Sequence, residues 1–160
     1  MAKYRHQLPL LDGGLFLTDG GIETTLIFHE GWTLPIGEAF VLLTTQRGRK
    51  ALRDYFDRYV PLAIENGTGF LLESPTWRAN PDWAEKVGYE KDALARINVG
   101  AIRLLEEVRQ TYESEACRMP ISGCIGPRGD GYAPGRIMTA HEAEDYHAWQ
   151  VGVFAETSAD

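Results

Sequence analysis

Residues 15–25, LFLTDGGIETT, contain the strongest indication of the fold in this 160-residue chain. The first four form a short apolar run that stops at Asp19, Gly20 and Gly21, which is typical of a buried parallel strand followed by a tight turn. Two consecutive glycines permit backbone angles closed to other residues and let a ligand approach the main chain. Asp19 would either lie at the ligand-binding edge of a parallel sheet or only cap the turn.

Two later segments repeat this pattern of an apolar run that ends in a turn. Residues 69–72 precede Glu73, and residues 120–125 precede Gly126. Because parallel strands end at the same edge of a sheet, we expect Asp19, Glu73 and Gly126 to lie together at one end of it.

Helices are predicted between these strands. Apolar residues at spacings of three and four predict a helix over residues 49–66, which Pro61 is expected to kink or end early. Asn80, before a proline, is typical of a helix N-cap, and Thr139 with Glu142 forms a capping box before the last helix. Residues 26–36 are expected to form a long loop.

The alternation of strand and helix, repeated three times, predicts an α/β fold with a parallel sheet and right-handed crossovers. Both a TIM barrel and a doubly wound sheet fit this order of elements. The strands are expected to begin near residues 15, 69 and 120.

Composition and motifs argue against several classes of partner. The formal net charge of −7, with scattered basic residues, argues against nucleic acid. No apolar run approaches the roughly 18–20 residues that span a membrane, and no signal peptide is evident, so a cytoplasmic location is the default expectation. Cys117 and Cys124 form no CxxC pair, and Asp145 stands where an HExxH motif needs its second histidine, so no complete metal site is predicted.

Three stretches, each at a predicted strand end, resemble motifs of one family. Residues 19–26 (DGGIETTL), 73–80 (ESPTWRAN) and 124–129 (CIGPRG) resemble the first-, second- and third-strand motifs of the homocysteine S-methyltransferases, in that order. The first stretch departs from the usual pattern at Glu23, where a small residue is commoner. The second departs from the usual Glu-Thr-Asn-Thr-Phe-x-Ala-Asn pattern at Ser74, Pro75 and Trp77.

The resemblance implies that residues 1–160 form a homocysteine-binding domain that is the N-terminal portion, three βα units, of a TIM (β/α)8 barrel, incomplete at the C-terminus. It implies an enzyme of methionine biosynthesis that moves a methyl group from a sulfonium, betaine or folate-type donor to the zinc-bound thiolate of homocysteine. Zinc is implied because a coordinated thiol is deprotonated and can attack the methyl carbon. The family's zinc cysteines belong to later strands, so the ligands are expected outside this chain, and Cys117 and Cys124 are not candidates.

The same resemblance assigns residues to the small-molecule substrates. The substrate-binding candidates are Asp19, Gly20, Gly21, Glu73, Thr76, Trp77 and Asn80. Asp19 would hold the ammonium group of homocysteine, a charge-assisted contact, and the two glycines would let the backbone approach it. Thr76, Trp77 and Asn80 would shape the pocket; packing under the loop is the alternative for Trp77, and N-capping is already a sufficient role for Asn80.

Two other functions stay open at this stage. One is a non-catalytic barrel domain that binds a small molecule or a partner protein, and the other is a barrel enzyme that cradles a phosphate with residues 126–131. By itself the chain is expected neither to hold catalytic zinc nor to transfer a methyl group. It is also expected to self-associate through free strand edges and an exposed 70–72 run.

Overall fold

The computed structural model describes residues 1–133, 135 and 137–160 of the chain. In this part of the chain β1 (Phe16–Thr18), β2 (Gly69–Glu73) and β3 (Ile121–Ser122) form one sheet in the order β1-β2-β3. Both pairings are parallel, which confirms the predicted strands and their direction.

Helices follow the strands in the predicted order. They are α1 (Ile22–Thr24), α2 (Gln46–Glu65), α3 (Pro81–Lys86), α4 (Lys91–Tyr112) and α5 (Ala140–Ala155). Short 3-10 helices lie at Pro9–Asp12, Pro35–Gly37 and Ala39–Thr44. The long helix α2 packs on β1 and β2, α4 packs on β2 and β3, and α5 packs on α4. No helix among the described residues is long and apolar enough to cross a membrane.

The side chains of β2 alternate between two faces of the sheet. Phe70 and Leu72 are fully buried, whereas Leu71 is only half-buried and Glu73 is exposed. The expected exposure of the 70–72 run was therefore wrong for Phe70 and Leu72. A strand has a period of two, so these two side chains face the covering helices and not the opposite face.

Two local predictions differ from the structure. The helix α2 continues through Pro61 to Glu65, so the expected early end was wrong. Buried side chains on both sides of the proline, at Val60 and Ala63, hold this last turn against the core. The loop expected over residues 26–36 begins with a π-helical turn, Thr25–His29, that continues α1.

Side-chain caps begin the helices α3 and α5 as predicted. Asn80 accepts a hydrogen bond from the backbone N–H of Trp83 at 3.3 Å. Thr139 and Glu142 form the complete capping box, with the Glu142 carboxylate accepting from the backbone N–H of Thr139 at 2.8 Å. These caps fix where the chain enters each helix after leaving the sheet.

Candidate functional site

The strand ends meet around a cleft of about 230 Å³. It is lined by Thr18, Asp19, Gly20, Gly21, Ile22, Glu23, Glu73, Ser74, Pro75, Trp77 and Cys124. Asp19 follows β1, Glu73 ends β2, and Cys124 follows β3. Gly126, beyond Cys124, packs against Trp77. The prediction that the three strand ends share one edge of the sheet is confirmed.

Asp19 places a carboxylate in the cleft. The hydroxyl of Tyr55, on α2, donates a hydrogen bond to Asp19 Oδ2 at 2.9 Å. Burial raises the pKa of Asp19 from 3.8 to about 6. The hydrogen bond from Tyr55 opposes this rise, and the negative charge of Glu73 adds to it. At neutral pH the carboxylate is therefore mostly ionised and presents a negative charge to the cleft.

The rest of the lining holds further acidic groups, and the pKa values of two of its side chains are raised. Burial raises the pKa of Glu23, and the charge of Asp19 adds to the rise. Burial also raises the pKa of the Cys124 thiol, helped by the neighbouring Glu73 carboxylate, so the thiol is protonated at neutral pH. None of the lining residues named above is basic. An ionised carboxylate in such a lining attracts a cationic group.

The two glycines after Asp19 do not use the positive φ angles that glycine permits. The glycines with positive φ lie elsewhere in the described chain, and Gly21 has a φ of −79°. A Cβ at Gly20 would instead lie 2.8 Å from the hydroxyl oxygen of Tyr59. Gly20 therefore allows the close approach of α2 to the strand end.

Hydrogen bonds tie the end of β2 to the end of β3. The hydroxyls of Ser74 and Thr76 are 2.7 Å apart, and Thr76 donates to the carbonyl oxygen of Cys124 at 2.8 Å. The backbone N–H of Cys124 donates back to Ser74 Oγ at 2.9 Å. Thr76 is fully buried, so its side chain supports the floor of the cleft from outside the lining.

Asn80 is also buried and lies outside the cleft lining. Besides capping α3, its Oδ1 accepts a hydrogen bond from the hydroxyl of Tyr146 at 2.8 Å. Its Nδ2 donates to the carbonyl oxygen of Pro127 at 3.3 Å. The side chain thus joins the loop after β2 to the loop after β3 and to α5, and its direct contact with a substrate stays a prediction.

Trp77 forms an aromatic wall that is held from behind. The Arg78 guanidinium lies 4.4 Å from the ring centroid of Trp77 and 4.0 Å from that of Trp83. The same group donates to Glu38 Oε1 at 3.0 Å and to the carbonyl oxygen of Ile36 at 3.0 Å. Burial raises the pKa of Glu38 to about 7, and Arg78 opposes this rise. The ion pair fastens the segment before α2 beside the cleft.

Comparison with known proteins gives a match to one protein family. A profile of the family described as homocysteine S-methyltransferase matches residues 16–160. The chain belongs to the homocysteine S-methyltransferase family. No curated protein matches it.

A solved structure shares the fold of this family member. The crystal structure of the homocysteine methyltransferase MmuM from Escherichia coli, in a metallated form, is similar with a TM-score of 0.71 and 19% sequence identity. The match covers 96% of this chain and 54% of that one, so this homocysteine S-methyltransferase family chain spans about half the length of the relative.

Zinc, which the family implies, does not fit the described residues. No group of three or more His, Cys, Asp or Glu side chains among them could hold a metal ion. The cleft lining contains one cysteine, Cys124, together with three acidic residues, and burial keeps its thiol protonated. Structural and catalytic zinc sites instead use several sulfur or nitrogen ligands around one point. No reaction step through zinc follows from this donor set.

Sequence reasoning missed two contributors to the site of this family member. Tyr55 belongs to the pattern of spacings that predicts the helix over residues 49–66, and its spacing of four from Tyr59 places two hydroxyls on one face of that helix. The Glu38–Arg78 pair joins residues 40 positions apart, so no local pattern could reveal it. A tyrosine pair within an otherwise apolar stripe is the signal that could have found the first.

Proposed function

We propose that the cleft binds homocysteine and that the protein acts in methyl transfer to the sulfur of that amino acid. Membership of the homocysteine S-methyltransferase family supports the reaction class. One observation carries the assignment to this cleft: the ionised carboxylate of Asp19 at a strand end, in a lining without a basic side chain. In this proposal the substrate ammonium pairs with Asp19, while Glu23 and Glu73 add to the attraction.

We infer that the three βα units belong to a TIM (β/α)8 barrel. Support comes from the parallel pairing of the strands, from the packing of α2 and α4 on them, and from a fold match that covers 54% of the related structure. Active sites of such barrels lie at the carboxyl ends of the strands. That is where Asp19 and Glu73 lie in this chain.

Methyl transfer to the sulfur of homocysteine requires that its thiol lose a proton. A free thiol is mostly protonated near neutral pH, and only the thiolate is a good nucleophile towards a methyl carbon. The proposed contribution of this chain is to bind and orient the amino-acid end of the substrate, with Trp77 as one wall of the site.

Calorimetry on the full chain tests the binding part of the proposal. Homocysteine is compared with γ-mercaptobutyrate, which is homocysteine without its amino group. A charge-assisted hydrogen bond contributes roughly 1.5–3 kcal/mol, so homocysteine should bind about 10- to 100-fold more tightly. Equal affinities, or no saturable binding of homocysteine, would overturn the assignment of the cleft.

Methyl-transfer assays test the reaction. The chain is incubated with homocysteine and a sulfonium, a betaine or a methyl-folate donor, and its zinc content is measured by elemental analysis. Methionine formed with one donor would identify the donor class. Tight homocysteine binding without methionine from any donor is the outcome that we expect for this chain alone, and it is also what a non-catalytic binding domain would give. Stoichiometric zinc together with turnover would show that the chain does form a zinc site, although the described residues contain no cluster of possible ligands.

A further inference from the structure

A fully buried tyrosine lies behind the carboxylate of Asp19. Tyr55 has no exposed surface, and its hydroxyl donates to Asp19 Oδ2 at 2.9 Å. Its ring packs edge-to-face on Phe56 at 5.5 Å between centroids and lies tilted on Tyr59 at 4.9 Å. The helix α2 that carries it is packed on β1 and β2. The hydroxyl is therefore fixed relative to the strand end that carries Asp19.

Most of the surroundings of Asp19 oppose its negative charge. The titratable groups that face it are Glu23 on α1, Tyr55 and its neighbour Tyr59 on α2, Glu73 at the end of β2, and Cys124 after β3. Burial and the like charge of Glu73 favour the protonated acid, whereas the hydrogen bond from Tyr55 favours the ionised one. Tyr55 itself stays protonated, because burial and the charge of Asp19 raise its pKa.

The contact also limits how the carboxylate can turn. A carboxylate has about four lone-pair sites, so the hydrogen bonds from Tyr55 and from the backbone of Asp19 still leave sites for a ligand. Asp19 lines the cleft while its Oδ2 is held from the helix side. A side chain held in this way loses less rotational freedom when a ligand binds, which favours affinity.

We propose that Tyr55 is a positioning residue, whose hydroxyl aims the carboxylate of Asp19 into the cleft and keeps it available for the ammonium group of the amino-acid substrate. The inference rests on the proposed function for the identity of the ligand. It goes beyond that function by assigning a task to a residue of α2 that does not line the cleft. Tyr55 acts through Asp19 and does not contact the substrate.

The experiment uses Tyr55→Phe, which keeps the ring and removes only the hydroxyl. Carboxyl-carbon NMR follows the titration of Asp19 in the unliganded chain, with its resonance identified by its loss in Asp19→Asn. We expect the pKa of Asp19 to rise in Tyr55→Phe. Homocysteine should bind about tenfold more weakly at about pH 7, and the loss should shrink at about pH 8.5, where Asp19 is ionised in both proteins.

Tyr112→Phe is the matched control. The hydroxyl of Tyr112 also donates to an aspartate, Asp57 Oδ1 at 3.0 Å, but neither residue lines the cleft. This variant should change neither the titration of Asp19 nor the affinity for homocysteine. An unchanged Asp19 titration in Tyr55→Phe, or an affinity for homocysteine at about pH 7 equal to that of the wild type, would overturn the inference.

The two proposals fail in different ways. If the wild-type chain does not bind homocysteine, the proposed function fails and the inference fails with it. If the wild-type chain binds homocysteine and Tyr55→Phe binds it equally well at about pH 7, only the inference on Tyr55 fails.

Discussion

A Cβ atom added at Gly126 would overlap the carbonyl oxygen of Trp77. The turn after β3 therefore packs directly on the backbone of the loop after β2, and only glycine fits between them. Because Trp77 lines the cleft, this contact helps to set the position of its wall. The glycine of the third motif thus acts on the cleft through Trp77.

Gly126→Ala should displace the loop that carries Trp77 and destabilise the fold. Backbone cannot yield as a flexible side chain can, so we expect a loss of about 1–3 kcal/mol in the free energy of unfolding, measured with urea and tryptophan fluorescence. Gly129→Ala, in the same loop, is the control, because an added Cβ there meets no atom within 4 Å. Equal stabilities of the two variants would contradict the packing account.

Asp19→Asn should stabilise the protein at neutral pH while it weakens ligand binding. The pKa of Asp19 in the folded protein, about 6, lies above its ordinary value of 3.8. The stabilising effect of this group is therefore complete below pH 3.8 and is lost as the pH rises through about 6. After allowance for partial solvent exposure, the variant should gain about 1–2 kcal/mol at about pH 7.5 and little at about pH 4.5.

Urea unfolding of the wild type and of Asp19→Asn at these two pH values measures the difference. The amide that replaces the carboxylate keeps one oxygen, which can still accept the hydrogen bond from Tyr55, so no buried donor loses its partner. A variant that is less stable than the wild type at neutral pH would show that the ionised carboxylate of Asp19 does not destabilise the folded protein.

The strand positions and their shared edge could be predicted because each strand is an apolar run that ends in turn residues. Residues 69–72 and Glu73 show this pattern in the sequence alone. The course of α2 past Pro61 could not be predicted from local preference, because packing of its buried face outweighs the loss of one backbone hydrogen bond.

The candidate site was predictable only where its residues follow the strands. Asp19 and Glu73 do so, and both line the cleft. Tyr55 reaches the site from a helix, and its task depends on a distance of 2.9 Å that no spacing in the sequence encodes. The Glu38–Arg78 ion pair likewise depends on the tertiary fold.

Arg78→Met should be strongly destabilising, because it leaves the carboxylate of Glu38 buried without its partner. Breaking one side of a buried ion pair typically costs about 3–5 kcal/mol. The pKa of Glu38 is already raised from 4.5 to about 7, so the loss should be larger at about pH 8 than at about pH 5, where the carboxyl is protonated.

Arg49→Met is the control for this variant. Arg49 pairs with Glu107 at 3.1 Å on the protein surface, where ion pairs contribute about 0–1 kcal/mol. Chemical denaturation of both variants at the two pH values makes the comparison. A loss in Arg78→Met that does not change with pH would mean that lost packing on Trp77 and Trp83, and not the charge of Glu38, explains it.

The most direct test of the central claim is a binding cycle that removes the substrate ammonium and the carboxylate of Asp19 separately and together. Calorimetry gives the affinities of the wild type and of Asp19→Asn for homocysteine and γ-mercaptobutyrate, with Asp54→Asn, whose carboxylate pairs with Lys50 outside the cleft, as control. The account predicts that the wild type and Asp54→Asn prefer homocysteine about 10- to 100-fold and that Asp19→Asn loses most of this preference. An undiminished preference in Asp19→Asn would contradict the claim that Asp19 binds the ammonium group.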